Sequence, residues 1–285
     1  MDERAALAMI ADHLDHAGDD AAIVDGTAIT IDMLHDRADF PTGVTDRTIG
    51  WRSVAVSLSD LAAVGADPVG AVGAYGAPEF EADALDSFIE GARGVCEAVG
   101  TEYVGGDLDI HAERTVATAA VGRVDRTIGR SGATPGEAVC VTGTLGRGAA
   151  AYRLFEAGDA ERANELYRFL PRIAAGRALA SHAGAMMDSS DGLARSLHQL
   201  AAASDCGFAI DRELPIDPAL DAFDDADSLA TTFGEDFELV VTLSTDAIER
   251  ARSSVPVALT RIGTVTESGV TREGDSMPDR GYVHD

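Results

Sequence analysis

Several aspartates of this chain lie in surroundings where a merely solvated carboxylate is not expected. Six of them lie close to Gly or Ser next to apolar segments, at the predicted end of an apolar strand, or inside an apolar helix: Asp20, Asp32, Asp60, Asp107, Asp188 and Asp191. A carboxylate in an apolar segment is costly to bury unless it is paired or bound to a cation. If the six converge in the fold, their charge requires metal ions, and oxygen ligands favour Mg²⁺ or Ca²⁺ over zinc.

Mg²⁺ fits the predicted arrangement best, because it keeps several waters and is commonly completed by substrate phosphates. Asp32 is predicted to end a strand, and Asp107 to follow another strand directly after Gly105-Gly106. Aspartates placed in this way would face a shared cleft. The pattern therefore predicts a magnesium-dependent enzyme that acts on phosphates.

Each motif also allows a purely structural interpretation. Asp20 can belong to a turn that leads into a strand, Asp191 can cap the helix that begins after Gly192, and Asp60 can lie on a solvated helix face. The ordered set along the chain therefore carries more weight than any single member.

Charge and composition exclude several classes of protein. The formal net charge is −27, from 49 acidic and 22 basic residues, and every basic residue is Arg because the chain has no Lys. P-loop, protein-kinase and Schiff-base chemistry all require a Lys, so phosphates would be bound by metal ions, Arg and backbone N–H groups. Nucleic acid and anionic membranes are excluded as partners by repulsion. A solvated acidic surface suited to a high-salt cytoplasm explains most of the acidic excess.

The elements that must position these residues follow from turn signals and periodicity. Asp25-Gly26 between two apolar runs predicts a β-hairpin. Apolar spacing predicts helices over 3–16, 51–65, 79–99 and 245–252. The helix over 79–99 is predicted to end at Gly100. Further strands are predicted at 68–76, 102–104, 114–124, 138–143, 237–243 and 258–266.

The length of 285 residues is comfortable for two α/β (α+β) domains. Turn formers are dense at 127–136, which places the boundary between an N-terminal domain, 1–128, and a C-terminal domain, 129–285. The chain shows neither a bilayer-length apolar run nor a basic start followed by an apolar core, so we expect a cytoplasmic protein. The three cysteines are predicted to be buried free thiols.

Longer motifs cover nearly the whole chain. They are GDDAAI (18–23), ITIDML (29–34), WRSVAVSLSDLAAVGADP (51–68), YVGGD (103–107), GRSGATPGEAVCVTGTLG (129–146), MMDSSDGLARSLHQLAAASDCG (186–207), FGEDFELVVT (233–242) and RGYVHD (280–285). This set resembles the thiamine-monophosphate kinase family, within the larger group of aminoimidazole-ribonucleotide and selenophosphate synthetases.

The resemblance implies a two-domain synthetase-like fold. Its N-terminal ATP- and metal-binding domain has a mixed sheet that contributes to a β-barrel in a homodimer, and its C-terminal α/β sandwich completes the active-site cleft. The implied reaction is direct in-line transfer of the γ-phosphoryl of ATP to thiamine monophosphate, with several Mg²⁺ ions. A phosphate oxygen is already nucleophilic, so positioning and charge neutralisation replace a general base.

The resemblance also implies roles for individual residues. The implied metal ligands are Asp20, Thr30, Asp32, Asp60, Asp107, Asp188 and Asp191. The implied nucleotide contacts are Gly106, Asp107, Arg130 and Ser190. The implied thiamine contacts are Asp39, Glu235 and Tyr282, since acids and an aromatic ring suit a cationic thiazolium.

Three positions depart from the usual family pattern, namely Ile31, Asp39 and Leu108. One alternative is a sibling ATP-dependent enzyme, although the chain lacks the reactive N-terminal Cys of selenophosphate synthetase, its first being Cys96. A second is a non-catalytic protein that binds nucleotide or metal. A third, high-salt adaptation alone, predicts no cluster of carboxylates in the fold.

Overall fold

The computed structural model describes residues 9–11 and 13–281, so half of the helix predicted over 3–16 lies outside the described residues. The N-terminal half comprises β1 (Ala22–Val24), β2 (Thr27–His35), α1 (Asp36–Asp39), α2 (Asp46–Ala63), β3 (Asp67–Ala77), α3 (Ala82–Val99), β4 (Tyr103–Ile110) and β5 (Thr115–Arg123). Its sheet has the order β1-β2-β5-β3-β4. Only β3 and β4 are parallel neighbours in it.

The other elements predicted for this half are present, but residues 13–16 are not helical and two strands are longer than expected. The hairpin turns at Asp25-Gly26, where both residues have left-handed φ angles of 50° and 72°. Strand β2 continues past Asp32, and β4 continues past Gly105-Gly106. Asp32 and Asp107 therefore lie within strands and not at their ends, because both segments keep pairing with a neighbouring strand.

The C-terminal half comprises β6 (Ala138–Thr142), α4 (Arg147–Glu156), α5 (Ala160–Tyr167), α6 (Ile173–Leu179), β7 (Ala183–Asp188), α7 (Leu193–Ser204), β8 (Gly207–Ile210), α8 (Ala226–Thr232), β9 (Leu239–Leu243), α9 (Ile248–Ser254), β10 (Leu259–Thr266), β11 (Val270–Arg272) and β12 (Asp275–Ser276), with a 3₁₀ helix at Pro218–Leu220. Its sheet has the order β12-β11-β8-β10-β6-β9-β7. The central strands β6 and β9 are buried at every position.

Helix α2 is the element that joins the two halves. It packs on β2, β3 and β5 of the first sheet and also contacts α6 and β7 of the second half. Thr45 caps its N-terminus by accepting a hydrogen bond from the Thr48 N–H, so the helix begins before the predicted Trp51. Apolar and small residues cover its whole circumference, as expected of a helix enclosed on all sides.

Glycines allow α2 to approach its neighbours backbone to backbone. A Cβ atom at Gly50 would lie 1.9 Å from the Phe88 carbonyl oxygen, and one at Gly176 of α6 would lie 2.0 Å from the Ala62 carbonyl oxygen. Any larger residue at either position would push the helices apart. This close packing holds α2 firmly against both α3 and the C-terminal half.

The face of the first sheet opposite the helices carries exposed apolar side chains. They are Ile29, Ile31, Met33, Val72, Val104 and Val121. Ile31 is 74% exposed, which is unusual for a β-branched side chain in a central part of a strand. Among the described residues, no helix has the length and apolar character needed to cross a membrane.

Candidate active site

Three carboxylates from distant parts of the chain meet where the two halves join. One oxygen of each of Asp20, Asp60 and Asp188 lies within 4.8 Å of the others. Asp20 precedes β1, Asp60 lies on α2, and Asp188 is the last residue of β7. High-salt adaptation alone does not explain this cluster, because a surface acid gains nothing from convergence with other acids.

A fourth carboxylate and a hydroxyl group adjoin the three. Asp32 shares a hydrogen bond with Asp60, and the Thr30 hydroxyl donates to Asp60 as well. Side chains alternate along β2, so Thr30 and Asp32 lie on the face covered by α2 while Ile31 lies on the exposed face. Ser57 of α2 donates to Asp32 Oδ2 at 2.8 Å.

The electrostatics of the cluster favour a bound cation. Burial raises the pKa of Asp188 to about 8, the neighbouring Asp20 adds to the rise, and the Ser59 hydroxyl opposes it. Burial also raises the pKa of Asp60 well above its ordinary value, and the charge of Asp32 raises it further. A bound divalent cation would counteract both effects that raise these pKa values, because its charge compensates the carboxylates for lost hydration and for mutual repulsion.

Arg130 is the cation that contacts this cluster. Its Nη2 lies 2.8 Å from Asp20 Oδ1, and its backbone N–H donates to Asp19 Oδ1 at 2.7 Å. Burial alone would lower the pKa of Arg130, but the charges of Asp20, Asp188 and Asp60 raise it above the ordinary value. The guanidinium thus stays charged beside the predicted metal site, where a phosphate would bind.

The loop after β7 brings Ser190 and Asp191 beside the C-terminal motif FGEDFEL. The Glu235 N–H donates to the Ser190 carbonyl at 2.6 Å, and Gly234 leaves room for this contact because a Cβ there would lie 2.5 Å from the same oxygen. Asp191 is not among the carboxylates that meet within 4.8 Å. Its role as a metal ligand stays a prediction, as does the role of Ser190.

Asp107 lies far from the cluster within one chain. The sheet register places Asp32 beside Thr118, Thr118 beside Gly73, and Gly73 beside Gly106. Asp107 is therefore three strand spacings from Asp32, about 14 Å. A Cβ at Gly106 would lie 2.0 Å from the Gly73 carbonyl oxygen, so this glycine also has a packing role.

Two of the residues predicted to contact thiamine, Asp39 and Glu235, both lie next to Tyr167. The Tyr167 hydroxyl lies 2.8 Å from the Asp39 carbonyl oxygen and 3.3 Å from Glu235 Oε2. Arg52 of α2 lies 3.6 Å above the Tyr167 ring and donates to Glu235. Arg52 precedes Asp60 by eight residues, so this group lies about 12 Å along the helix from the carboxylate cluster. Tyr282 lies outside the described residues.

Comparison with known proteins gives the family. The profile described as AIR synthase related protein, N-terminal domain, matches residues 18–124, and the corresponding C-terminal domain profile matches residues 134–275. The chain is 58% identical to a thiamine-monophosphate kinase of Halobacterium salinarum over 288 residues, with 100% of both proteins covered. The chain belongs to the thiamine-monophosphate kinase family.

Solved structures of the thiamine-monophosphate kinase family have the same fold. The AaThiL complex with AMPPCP and TMP has a TM-score of 0.90 at 27% identity, covering 100% of this chain and 97% of that one. The Stenotrophomonas maltophilia thiamine-monophosphate kinase has a TM-score of 0.82 at 32% identity, covering 91% and 90%. The two-domain α/β fold of this family is therefore established for the chain.

Sequence reasoning missed several side chains that hold the site of this family member together. Ser57 and Ser59 each donate to a cluster carboxylate, and Arg52 donates to Glu235. Their sequence signal was available, because these three polar residues lie within the largely apolar helix WRSVAVSLSDLAAVG. A polar side chain in such a helix needs a buried partner, but the sequence does not say which.

Proposed function

We propose that this chain transfers the γ-phosphoryl group of ATP to thiamine monophosphate, giving ADP and thiamine diphosphate. The observation that carries the proposal is the cluster of Asp20, Asp32, Asp60 and Asp188 where the two halves join. Transfer between two phosphates brings several negative charges together, and the protein is itself strongly acidic. Cations concentrated by such a cluster are needed to offset that repulsion.

The donor set of the cluster fits Mg²⁺. It consists of carboxylate oxygens, with the Thr30 hydroxyl beside them, and hard oxygen ligands of this kind suit Mg²⁺. Asp20, Asp32, Asp60 and Asp188 would hold the ions, which when bound neutralise charge on the transferring phosphoryl group. Asp107, Asp191 and Thr30 remain proposed as further ligands.

Arg130, Ser190 and Gly106 are the proposed contacts to the nucleotide. Arg130 can offer a bidentate contact to a phosphate while it also borders Asp20. The protein residues therefore orient the two substrates and balance their charge, and no residue needs to remove a proton from the attacking phosphate oxygen.

Asp39, Glu235 and Tyr282 are the proposed contacts to thiamine. The Asp39 backbone carbonyl and the Glu235 carboxylate both accept from the Tyr167 hydroxyl, about two helical turns from the carboxylate cluster along α2. This separation leaves space for the phosphates between the thiazolium and the metal site. The Glu235 carboxylate also offsets the charge of Arg52, which would otherwise repel a cationic ring at this end of the site.

We further propose that the enzyme is a homodimer, with a second copy covering the exposed apolar face of the first sheet. Asp107 lies about 14 Å from Asp32, and α2 packs across the intervening strands β5 and β3. Beside Asp107 lies a cavity of 370 Å³ whose lining includes Tyr75, Ile89 and Leu108. We assign Asp107 and Gly106 to the active site of the other copy.

Subunit mixing tests this assignment. Asp107→Asn and Asp60→Asn chains are each expected to be inactive, but a mixed dimer would contain one complete site. After denaturation and refolding together, about a quarter of wild-type activity should return. If the mixture stays inactive while the wild-type protein survives the same treatment, Asp107 acts within its own chain or not at all.

The first experiment is an ADP-release assay in high-salt buffer with ATP and Mg²⁺, adding thiamine monophosphate or free thiamine. ADP release with the monophosphate alone, with thiamine diphosphate as product, is the expected result. Release only with another phosphorylated metabolite would favour a sibling enzyme. Stabilisation by ATP and Mg²⁺ without any ADP would favour a non-catalytic binding protein. Because ATP is the phosphoryl donor, we place the enzyme in the cytoplasm.

A further inference from the structure

Two serines of helix α2 contact carboxylates that belong to different sheets. Ser57 Oγ donates to Asp32 Oδ2 at 2.8 Å, and Asp32 lies on β2 of the first sheet. Ser59 Oγ donates to Asp188 Oδ2 at 2.5 Å, and Asp188 ends β7 of the second sheet. Both serines are completely buried. One helix thus contributes Asp60 itself and also contacts the carboxylates on either side of it.

We propose that Ser57 and Ser59 are positioning residues of the metal site, which hold Asp32 and Asp188 so that their carboxylates converge with Asp60. The proposal rests on the proposed function, because it concerns the same cations. A hydrogen bond to one carboxylate oxygen fixes the rotation of the group and directs the other oxygen. The Ser59 contact has an additional effect, since it aligns the C-terminal half of the site with the N-terminal half.

A neutral hydroxyl is well suited to this task. An Arg in the same place would orient the carboxylate but would also cancel its charge and weaken its attraction for a cation. Three of the four cluster carboxylates are contacted in this way: Asp32 by Ser57, Asp60 by Thr30 and Asp188 by Ser59. Arg130 contacts the fourth, Asp20.

Helix α2 provides a matched control in Ser53. This serine is also completely buried, but its hydroxyl has no hydrogen-bond partner among the described residues. It lies one helical turn before Ser57. Ser53→Ala therefore repeats the chemical change of Ser57→Ala and Ser59→Ala in the same helix without touching a cluster carboxylate.

The test is a Mn²⁺ titration followed by electron paramagnetic resonance, with and without ATP, on the full-length chain. Ser57→Ala and Ser59→Ala are each expected to weaken Mn²⁺ binding about tenfold. Ser53→Ala should bind Mn²⁺ within about twofold of the wild type, and Asp60→Asn, as the positive control, should lose most of the binding. Melting temperatures in EDTA measure any purely structural effect separately.

Wild-type Mn²⁺ affinity in both Ser57→Ala and Ser59→Ala would overturn the assignment, even if either variant melts at a lower temperature. A loss in Ser53→Ala as large as in Ser59→Ala would overturn it as well, because the effect would then come from packing. Absence of Mn²⁺ binding by the wild type, with and without ATP, would instead overturn the metal-dependent function on which the assignment rests.

Discussion

Asp60 is the residue on which the most interactions of the carboxylate cluster converge. It accepts a hydrogen bond from Thr30, shares one with Asp32, and lies within 4.8 Å of oxygens of Asp20 and Asp188. Both its neighbours and its burial raise its pKa, so the folded protein without metal contains a strained set of acids. Function and stability therefore make opposite demands on this position.

Asp60→Asn should separate the two demands. We expect turnover to fall at least about 100-fold, because a metal ligand is lost, while the melting temperature in EDTA stays equal or rises, because one buried charge is removed. ADP release and thermal unfolding measure the two effects. Turnover near the wild-type rate would contradict the cluster assignment. A large drop in the melting temperature would show that Asp60 is needed for folding.

Glu235 is proposed to contact thiamine monophosphate, the phosphoryl acceptor. Its backbone has a left-handed conformation, with a φ of 64°. Its carboxylate accepts a hydrogen bond from Arg52, which is 2% exposed and stacked on Tyr167. A residue in this conformation, paired with a buried cation, is held in place by its surroundings and not by local preference. Such rigidity is expected of a group that orients a substrate.

Glu235→Gln is expected to raise the KM for thiamine monophosphate roughly tenfold and to leave the KM for ATP within about twofold. The physical reason is the loss of the charge that offsets Arg52, whose guanidinium would then repel the cationic thiazolium. Steady-state kinetics with each substrate varied in turn measure the difference. Equal changes in both KM values would place Glu235 outside the acceptor site and indicate a general effect on the fold.

At the scale of elements, the contact between α2 and α3 depends on glycine. A Cβ atom at Gly91 would lie 1.9 Å from the Arg47 carbonyl oxygen, whereas one at Gly94 of the same helix would lie 3.4 Å from the Trp51 ring, an ordinary contact. The two glycines are equivalent in helix propensity and differ only in what surrounds them. They therefore form a matched pair.

Gly91→Ala should lower the free energy of unfolding by about 1–3 kcal/mol, because the helices must separate. Gly94→Ala should leave it unchanged or raise it by up to about 1 kcal/mol, through better helix propensity. Chemical denaturation of both variants gives the comparison. Equal effects of the two substitutions would contradict the backbone-to-backbone packing.

The N-terminus of α4 contacts a buried carboxylate that precedes β9 in the chain. Asp236 accepts hydrogen bonds from the N–H groups of Gly146 and Gly148 at 2.7 and 2.9 Å. Burial nevertheless raises the pKa of Asp236 to about 7, against the lowering effect of these two bonds. A carboxyl group whose pKa is higher in the folded than in the unfolded protein binds a proton on folding. Its contribution to stability is therefore lost as the pH rises from about 4 to about 7.

Asp236→Asn should remove this part of the pH dependence. In EDTA, wild-type stability is expected to fall as the pH rises from 5 to 7, and the fall should be smaller in the variant by an amount on the order of a few kcal/mol. Denaturation at a series of pH values measures both slopes. Identical slopes for wild type and variant would show that Asp236 stays ionised in the folded protein throughout this range.

For the whole molecule, charge is the dominant property. The net charge of −27 on 285 residues opposes the compact state by self-repulsion, and salt screens that repulsion. We expect the melting temperature to rise by roughly 5–10 °C between 0.1 M and 1 M KCl. Differential scanning fluorimetry checks this. An unchanged or falling melting temperature would mean that the charges are spaced too widely to destabilise the fold.

The extent of successful prediction follows from the range of the interactions involved. The Asp25-Gly26 turn and the end of α3 at Gly100 were predictable, because both depend on local backbone preferences. The ends of β2 and β4 were not, because pairing with a neighbouring strand extends them past Asp32 and Asp107. Motif order was sufficient to predict the family and the acidic residues from which the cluster is assembled.

The sequence by itself determined the composition of the site: an excess of Asp, the absence of Lys, and the motifs that belong to the thiamine-monophosphate kinase family. Only the tertiary structure decided which aspartates meet. Asp20, Asp60 and Asp188 come together because α2 lies between the two sheets, while Asp107 is separated from Asp32 by two strands. It also decided that Ser57 and Ser59 hold carboxylates of different sheets. The types and the order of the site residues can be read from the sequence, whereas the distances between them depend on packing between segments that are remote in the chain.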